Sequence, residues 1–228
     1  MTKTVLFASA AILALSAGTA VAAKAPAMSA KGTTARVISA VPGSVTLYDQ
    51  TSAFVSNAIS SQNFESAFDA YDDQAADDFA VPAGHTWKIK EVDVLGVNFG
   101  SFPANSLHVI LYKNSKGLPG DVAGDCDNLS NSGYNGAGGY AIKIPKGCAL
   151  KAKGGTKGKT YWVSVIANQN FGTDSQWYWD ANQSSNGAHG QWQNPGGGFG
   201  ICPTWCDDSN VFGYSTDLAF ALKGKDAT

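Results

Sequence analysis

Short segments of alternating apolar and polar residues, separated by turn-forming residues, follow one another along most of this chain. In one of them, Leu218, Phe220 and Leu222 repeat with a period of two. That period places apolar side chains on one face of an extended strand. Glycine, with 26 residues, recurs between the segments. The pattern predicts an all-β fold, a jelly-roll-like antiparallel β-sandwich of about eight to ten strands in a single domain.

The first 23 residues have the pattern of a secretory signal peptide. Lys3 precedes an apolar run over 5–17, and small residues lead to Ala23. The run is shorter than the ~20 residues that a membrane-spanning helix needs. We therefore expect cleavage after Ala23, with Ala27 as a second position, and a secreted, extracellular or periplasmic protein without a membrane anchor.

Composition divides the rest of the chain into a flexible linker over 24–44 and a β-sandwich domain over 45–228. The linker region is made mostly of small and polar residues. The formal net charge is −2, and no run of basic residues occurs. Nucleic acid is therefore not an expected partner.

The four cysteines, Cys126, Cys148, Cys202 and Cys206, agree with an oxidising compartment. Three pairings are possible. Pairing by nearness in sequence joins Cys126 to Cys148 and Cys202 to Cys206. A zinc site is the competing interpretation, but the chain has neither a Cys-x-x-Cys pair nor a histidine beside these cysteines.

Several short motifs resemble a domain family of exported bacterial proteins. They include QAADDF at 74–79, VPAG at 81–84, YWVSV at 161–165 and QWQNPGGGFG at 191–200, and the similarity extends over 45–224. The function of that family is not settled, so the resemblance implies a β-sandwich and export, without an activity. The chain departs from it in one respect, since Cys202 and Cys206 are closer in sequence than the resemblance implies.

Aromatic residues are concentrated in the last third of the chain, beside many Asn and Gln residues. The candidates for a glycan-binding face are Trp177, Trp179, Trp192 and Trp205. Indole rings present flat apolar faces that suit the C–H faces of sugars, and amides can hydrogen-bond hydroxyl groups. The alternative is that these rings fill the core, with their N–H groups bonded inside the protein.

Acidic residues are concentrated just before and within a predicted strand. Asp72, Asp73, Asp77 and Asp78 are candidates for a structural calcium site, because Ca²⁺ binds six to eight oxygen ligands. Asp77 and Asp78 are expected on opposite faces of an extended strand, since neighbouring side chains alternate. The alternative is a solvated acidic loop; no other cofactor is expected.

No catalytic motif stands out. The chain has three histidines, His85, His108 and His189, and lacks the Gly-x-Ser-x-Gly and His-Glu-x-x-His motifs. The run 196–198 lacks the Lys and Ser/Thr of a phosphate-binding loop, which indicates a turn. We therefore expect a non-catalytic module that binds glycans or cell-surface components. The alternatives are a structural matrix protein without a ligand and an extracellular hydrolase.

Overall fold

A computed structural model describes residues 25–32, 42–52, 54–100, 103–174, 176–183 and 186–228. These residues form an all-β, sandwich-like domain of antiparallel sheets, as predicted. They contain 17 strands, more than expected, because five strands have only two or three residues. The strands are β1 (Ser29–Ala30), β2 (Val45–Asp49), β3 (Phe54–Ser60), β4 (Gln62–Asn63), β5 (Gln74–Val81), β6 (Thr86–Val94), β7 (Gly96–Phe99), β8 (Ser106–Ser115), β9 (Leu118–Leu129), β10 (Tyr140–Lys143), β11 (Leu150–Lys153), β12 (Lys159–Asn168), β13 (Gln176–Asn182), β14 (Gln191–Gln193), β15 (Cys206–Asp207), β16 (Asp217–Leu218) and β17 (Phe220–Ala227).

Helical structure in the described residues is limited to a 3₁₀ helix, Ser66–Tyr71, and two single-turn α-helices. The α-helices are α1 (Phe171–Asp174) and α2 (Ser209–Phe212). None of the described helices is long and apolar enough to span a membrane.

The largest sheet has seven strands in the order β15-β14-β5-β12-β8-β9, with β4 pairing in parallel with β12. A second sheet has the order β10-β6-β17-β2, with β11 also beside β6. A third has the order β1-β3-β13-β16, and β7 also pairs with β13. All pairings except β4 with β12 are antiparallel.

The main core lies between the three sheets and takes apolar side chains from each of them. Phe79 and Val163 come from the seven-stranded sheet, Trp87 and Phe220 from the second, and Trp179 from the third. The rings of Phe79 and Trp87 stack with centroids 5.9 Å apart. Strands of all three sheets are thereby held to one apolar interior, which accounts for most of the driving force for folding.

Two disulfides join Cys126 to Cys148 and Cys202 to Cys206, so the pairing by nearness in sequence is confirmed. The Cα atoms are 5.8 Å and 5.7 Å apart, which is ordinary for a disulfide. Together with the helix finding, these bonds are compatible with an extracellular or periplasmic protein.

The predicted linker over 24–44 is partly structured. Ser29 and Ala30 form β1 and pair with Ile59 and Ala58 of β3. The amide of Ala27 donates to Oε1 of Gln176 over 2.9 Å. The first part of this segment therefore packs on the domain, while 33–41, where the sequence also allows a short strand, lies outside the described residues. The signal peptide, 1–23, lies outside the described residues.

The glycine-rich stretch 196–200 forms a tight turn against the 3₁₀ helix. Gly198 donates its amide to the carbonyl of Ala70 over 2.7 Å, and a Cβ at this position would lie 2.6 Å from that oxygen. Gly197 has a φ of +74° in open space. One glycine thus permits a close approach and its neighbour a left-handed backbone, which explains a turn here and confirms that prediction.

Candidate functional site

The outer face of the seven-stranded sheet, turned away from the main core, carries a second apolar cluster. Its buried members are Ala76, Ile110, Tyr112, Trp162 and Ile166. They come from the three central strands β5, β8 and β12, on which the alternate residues Ala75, Val109 and Val163 face the main core. These strands are therefore apolar on both faces, as the sequence of β8 indicates. We call this surface, with the polar residues that surround the cluster, the outer face.

Trp205 is the aromatic side chain that remains partly accessible on the outer face. It comes from the loop before β15 and packs edge-on against Tyr112, with ring centroids 5.8 Å apart and an interplanar angle of 78°. Burial raises the pKa of the Tyr112 hydroxyl. The pair provides an apolar surface with one partly exposed indole.

A row of amide side chains lies beside this pair. Nε2 of Gln74 donates to the hydroxyl of Tyr112 over 2.7 Å and to Oγ of Ser164 over 2.9 Å. Nε2 of Gln193 donates to Oε1 of Gln74 over 2.9 Å. Nε1 of Trp162 donates to Oδ1 of Asn114 over 3.0 Å. These bonds fix the orientation of the amides next to the aromatic pair.

The row leads into a polar pocket of about 260 Å³. Nε2 of His108 lies 2.6 Å from Oδ1 of Asp125. Nδ2 of Asn168 donates to Oδ1 of Asp127 over 3.1 Å, and Nδ2 of Asn63 donates to Oδ1 of Asn168 over 3.1 Å. The polar residues that line the pocket include Asn63, Asp72, Gln74, His108, Asp127 and Asn168. Such a mixture of donors and acceptors beside an apolar floor suits a ligand with many hydroxyl groups.

Asp72 is a partly buried carboxyl that lines this pocket. Burial raises its pKa to about 6, although the amide of Phe64 donates to its Oδ1 over 2.8 Å. Burial therefore makes the protonated form of this carboxyl easier to reach than in a solvent-exposed aspartate.

Three of the four tryptophans predicted for a binding face are fully buried: Trp177, Trp179 and Trp192 each have 0% exposure. Their Nε1 atoms donate to backbone carbonyls, at 2.7 Å to Gly138, 2.9 Å to Ala219 and 3.0 Å to Ser60. The prediction is wrong for these three because their rings pack inside the core and their N–H groups are hydrogen-bonded there. Of the four predicted tryptophans, only Trp205 lies on the outer face.

The four aspartates proposed for calcium are not brought together. Asp73 accepts from Oγ of Ser60 over 2.6 Å and from the amide of Gln62. Asp77 points into the interior and accepts from Nε2 of Gln50 and the amide of Leu218, each over 2.6 Å. These oxygens are already occupied by protein donors.

Asp78 lies on the opposite face of β5 and accepts from the amide of Ala188 over 3.1 Å. The expected alternation of Asp77 and Asp78 is thus confirmed, and it separates them. In the part of the chain that the structure describes, no three acidic, His or Cys side chains are placed to hold a metal ion. The predicted calcium site over Asp72, Asp73, Asp77 and Asp78 is therefore wrong as a single cluster.

Burial also perturbs the carboxyls in this region. It raises the pKa of Asp73 and of Asp77 well above the usual range, and for Asp77 the nearby Asp217 adds to the effect. It raises the pKa of Asp78 to about 6. These groups are held by hydrogen bonds within the fold, which indicates a structural role.

The described partners of the three histidines are aspartates. His85 lies 2.7 Å from Asp226, and His189 lies 3.7 Å from Asp217. Only His108, beside Asp125, lines the polar pocket. Its other ring nitrogen, Nδ1, lies 3.8 Å from Oδ1 of Asp127, so carboxylates flank the imidazole on both sides.

Sequence reasoning named Trp205 as a candidate for this site but missed Tyr112, Gln74 and His108 as parts of it. These residues lie on strands far apart in sequence, and β8 brings Tyr112 opposite Trp162 and His108 opposite Ile166 of β12. The available signal was the two-sided apolar pattern of β8, which implied a second covered surface outside the main core.

No protein-family model matches the chain, and no curated protein and no solved structure gives a significant match.

Proposed function

We propose that this chain is an exported, non-catalytic β-sandwich module that binds a neutral glycan at the outer face. The observation that carries the proposal is Trp205, partly exposed against Tyr112 and next to the amide row of Gln74 and Gln193. The leader-like first 23 residues and the two disulfides support export.

The chemistry of the outer face suits an uncharged sugar chain. An indole offers a flat apolar surface to sugar C–H groups, and amide groups in fixed orientation discriminate hydroxyl positions. Asp125 and Asp127 flank the polar pocket, and their charges disfavour an anionic ligand there. A neutral polysaccharide therefore fits this surface better than an acidic one.

The resemblance to an exported β-sandwich family stays a prediction that agrees with this proposal. A structural matrix protein without a ligand remains the second candidate. It is favoured by the burial of Trp177, Trp179 and Trp192, which shows that most late aromatics serve the core. The two candidates differ at Trp205, which contacts the ligand in a glycan-binding module and has no ligand to contact in a matrix protein.

The test is native affinity electrophoresis in gels that contain soluble β-glucan, xylan or mannan. We expect at least one of them to retard the wild-type protein, and we expect Trp205→Ala to lose most of that retardation. Asn168→Ala with His108→Ala tests the pocket separately. Tyr214→Ala is the matched control, because Tyr214 is an exposed aromatic residue, 45% accessible, outside the outer face.

Retardation by none of these polysaccharides would favour the matrix protein. Equal loss in Trp205→Ala and Tyr214→Ala would contradict the assignment of the outer face. In either case the melting temperature of each variant is measured first, so that a loss of binding is compared between folded proteins.

A further inference from the structure

Half of the basic residues of this acidic chain lie on one surface. The chain has 16 Lys and Arg residues and a net charge of −2. Eight lysines belong to the outward side of the sheet formed by β2, β6, β10, β11 and β17 or to the turn that follows β10. We call this surface the lysine face; it consists of Lys88, Lys90, Lys143, Lys146, Lys151, Lys153, Lys223 and Lys225.

The strand register sets three of these lysines side by side. Lys88 of β6 is opposite Lys151 of β11 on one side and opposite Lys225 of β17 on the other. Directly opposite side chains project to the same side of a sheet, and like charges in that position are destabilising. The fold thus maintains a repulsive row of ammonium groups, an arrangement that packing alone does not require.

Little on the surface neutralises this charge. Lys223 lies between Glu91, at 3.1 Å, and Asp93, both of which are buried beneath it. Within the described residues, the other seven lysines have no carboxylate in ion-pair range. Of the acidic residues at the edges of the sheet, Asp226 is bonded to His85 and Asp49 to Thr51. The exposed charge is therefore strongly positive.

A cavity of about 480 Å³ opens among these lysines. Lys90, Lys143, Lys146 and Lys225 line it, together with Ile144 and the turn over Pro42–Ser44. It combines positive charge with an apolar wall and lies on a different sheet from the outer face. A chain-like anion that runs along the sheet could place one unit in this cavity.

We propose that the lysine face binds a linear anionic polysaccharide, a sugar chain that carries carboxylate or sulfate groups. Neighbouring strands are ~4.8 Å apart, and alternate residues are ~6.8 Å apart along a strand, so the ammonium groups form a regular grid. Lysine offers mobile point charges rather than the rigid fork of arginine, which favours recognition of charge along a flexible polymer. The aromatic residues of this sheet, Tyr48, Trp87, Tyr140 and Phe220, pack against the core and give no stacking surface for bases.

The test is affinity electrophoresis of the full chain in gels that contain alginate, which carries carboxylates, or dextran sulfate, with neutral dextran as reference. We expect both polyanions to retard the protein at low salt more strongly than neutral dextran does. The retardation should weaken as salt is added, because exposed charges are screened.

The decisive variant is Lys88→Gln with Lys151→Gln and Lys225→Gln. We expect roughly tenfold weaker binding of the polyanion, since each exposed charge contributes a modest amount. The matched control changes charge equally elsewhere, with Lys113→Gln, Lys116→Gln and Lys157→Gln, and should bind as wild type. Replacement of the first three lysines by arginine should retain binding.

Four results would overturn the proposal: no retardation by either polyanion, equal weakening in the control, loss of binding in the arginine variant, or tighter binding to double-stranded DNA than to both polyanions. The last would make the face a nucleic-acid surface. Trp205→Ala should leave polyanion binding unchanged, so failure at the lysine face and failure at the outer face are distinguishable.

Discussion

The edge of the Trp205 indole contacts Tyr112, with ring centroids 5.8 Å apart, and this pair joins the loop before β15 to the centre of the seven-stranded sheet. The contact lies outside the main core, in the cluster with Trp162 and Ile166. Trp205 therefore differs in kind from Trp192, which is fully buried and donates its N–H to the carbonyl of Ser60.

This difference predicts unequal effects on stability. We expect Trp192→Ala to lower the free energy of unfolding by ~3–5 kcal/mol, because it leaves a large cavity. We expect Trp205→Ala to lower it by only ~1 kcal/mol, the scale of one aromatic pair at a partly exposed site. Urea unfolding measures both. Similar losses in the two variants would show that Trp205 is a core residue.

The fold class could be predicted because the alternation of apolar and polar residues, as over 218–222, is a local property of the sequence. The disulfides could be predicted because each pair is close along the chain. The burial of Trp177 and Trp179 could not be predicted, because both faces of β13 are covered. A period of two in the sequence does not show which face of a strand meets solvent. Trp177 and Tyr178 are both buried although they point to opposite sides.

Both candidate surfaces depend on contacts between distant segments. Lys88, Lys151 and Lys225 are separated by more than 60 residues at each step, and only the strand register places them in one row. No basic run marks them in the sequence. In the same way, Gln74 and Tyr112 belong to different strands, and their hydrogen bond follows from the sheet order.

The buried carboxyl of Asp208 is expected to make the folded protein less stable as pH rises. Burial raises its pKa to about 7, against the hydrogen bonds from Thr216, whereas an aspartate in the unfolded chain has a pKa of ~3.9. The folded protein therefore binds more protons than the unfolded chain between these values. The loss of stability from this carboxyl is absent below the unfolded pKa of ~3.9. It grows as pH rises towards the folded pKa and is complete above about pH 7.

The measurement is the difference in melting temperature between pH 5 and pH 8 for Asp208→Asn and wild type. The variant cannot titrate at this position, so we expect the difference to shrink. Asp121→Asn, at an exposed aspartate, should keep the wild-type difference. An unchanged difference in Asp208→Asn would contradict the role assigned to this carboxyl.

The two disulfides are expected to stabilise unequally. Cys126 and Cys148 are separated by 22 residues, and Cys202 and Cys206 by 4. Loop-closure entropy gives about 3 kcal/mol for the longer loop and about 2 kcal/mol for the shorter. Urea unfolding of the paired Cys→Ser variants should therefore show the larger loss for Cys126 with Cys148. The reverse order would mean that the short loop supports more of the native structure than chain entropy allows.

The adjacent glycines Gly197 and Gly198 should respond differently to the same substitutions, because the backbone needs each for a different reason. Gly197 has a φ of +74° and open space, so Gly197→Ala should cost ~1–2 kcal/mol and Gly197→Asn much less, since asparagine tolerates that conformation. At Gly198 a Cβ would press on the Ala70 carbonyl, so Gly198→Asn should cost at least as much as Gly198→Ala. Urea unfolding of the four variants checks this. Rescue by asparagine at Gly198, or its failure at Gly197, would show that the turn against the 3₁₀ helix is held in another way.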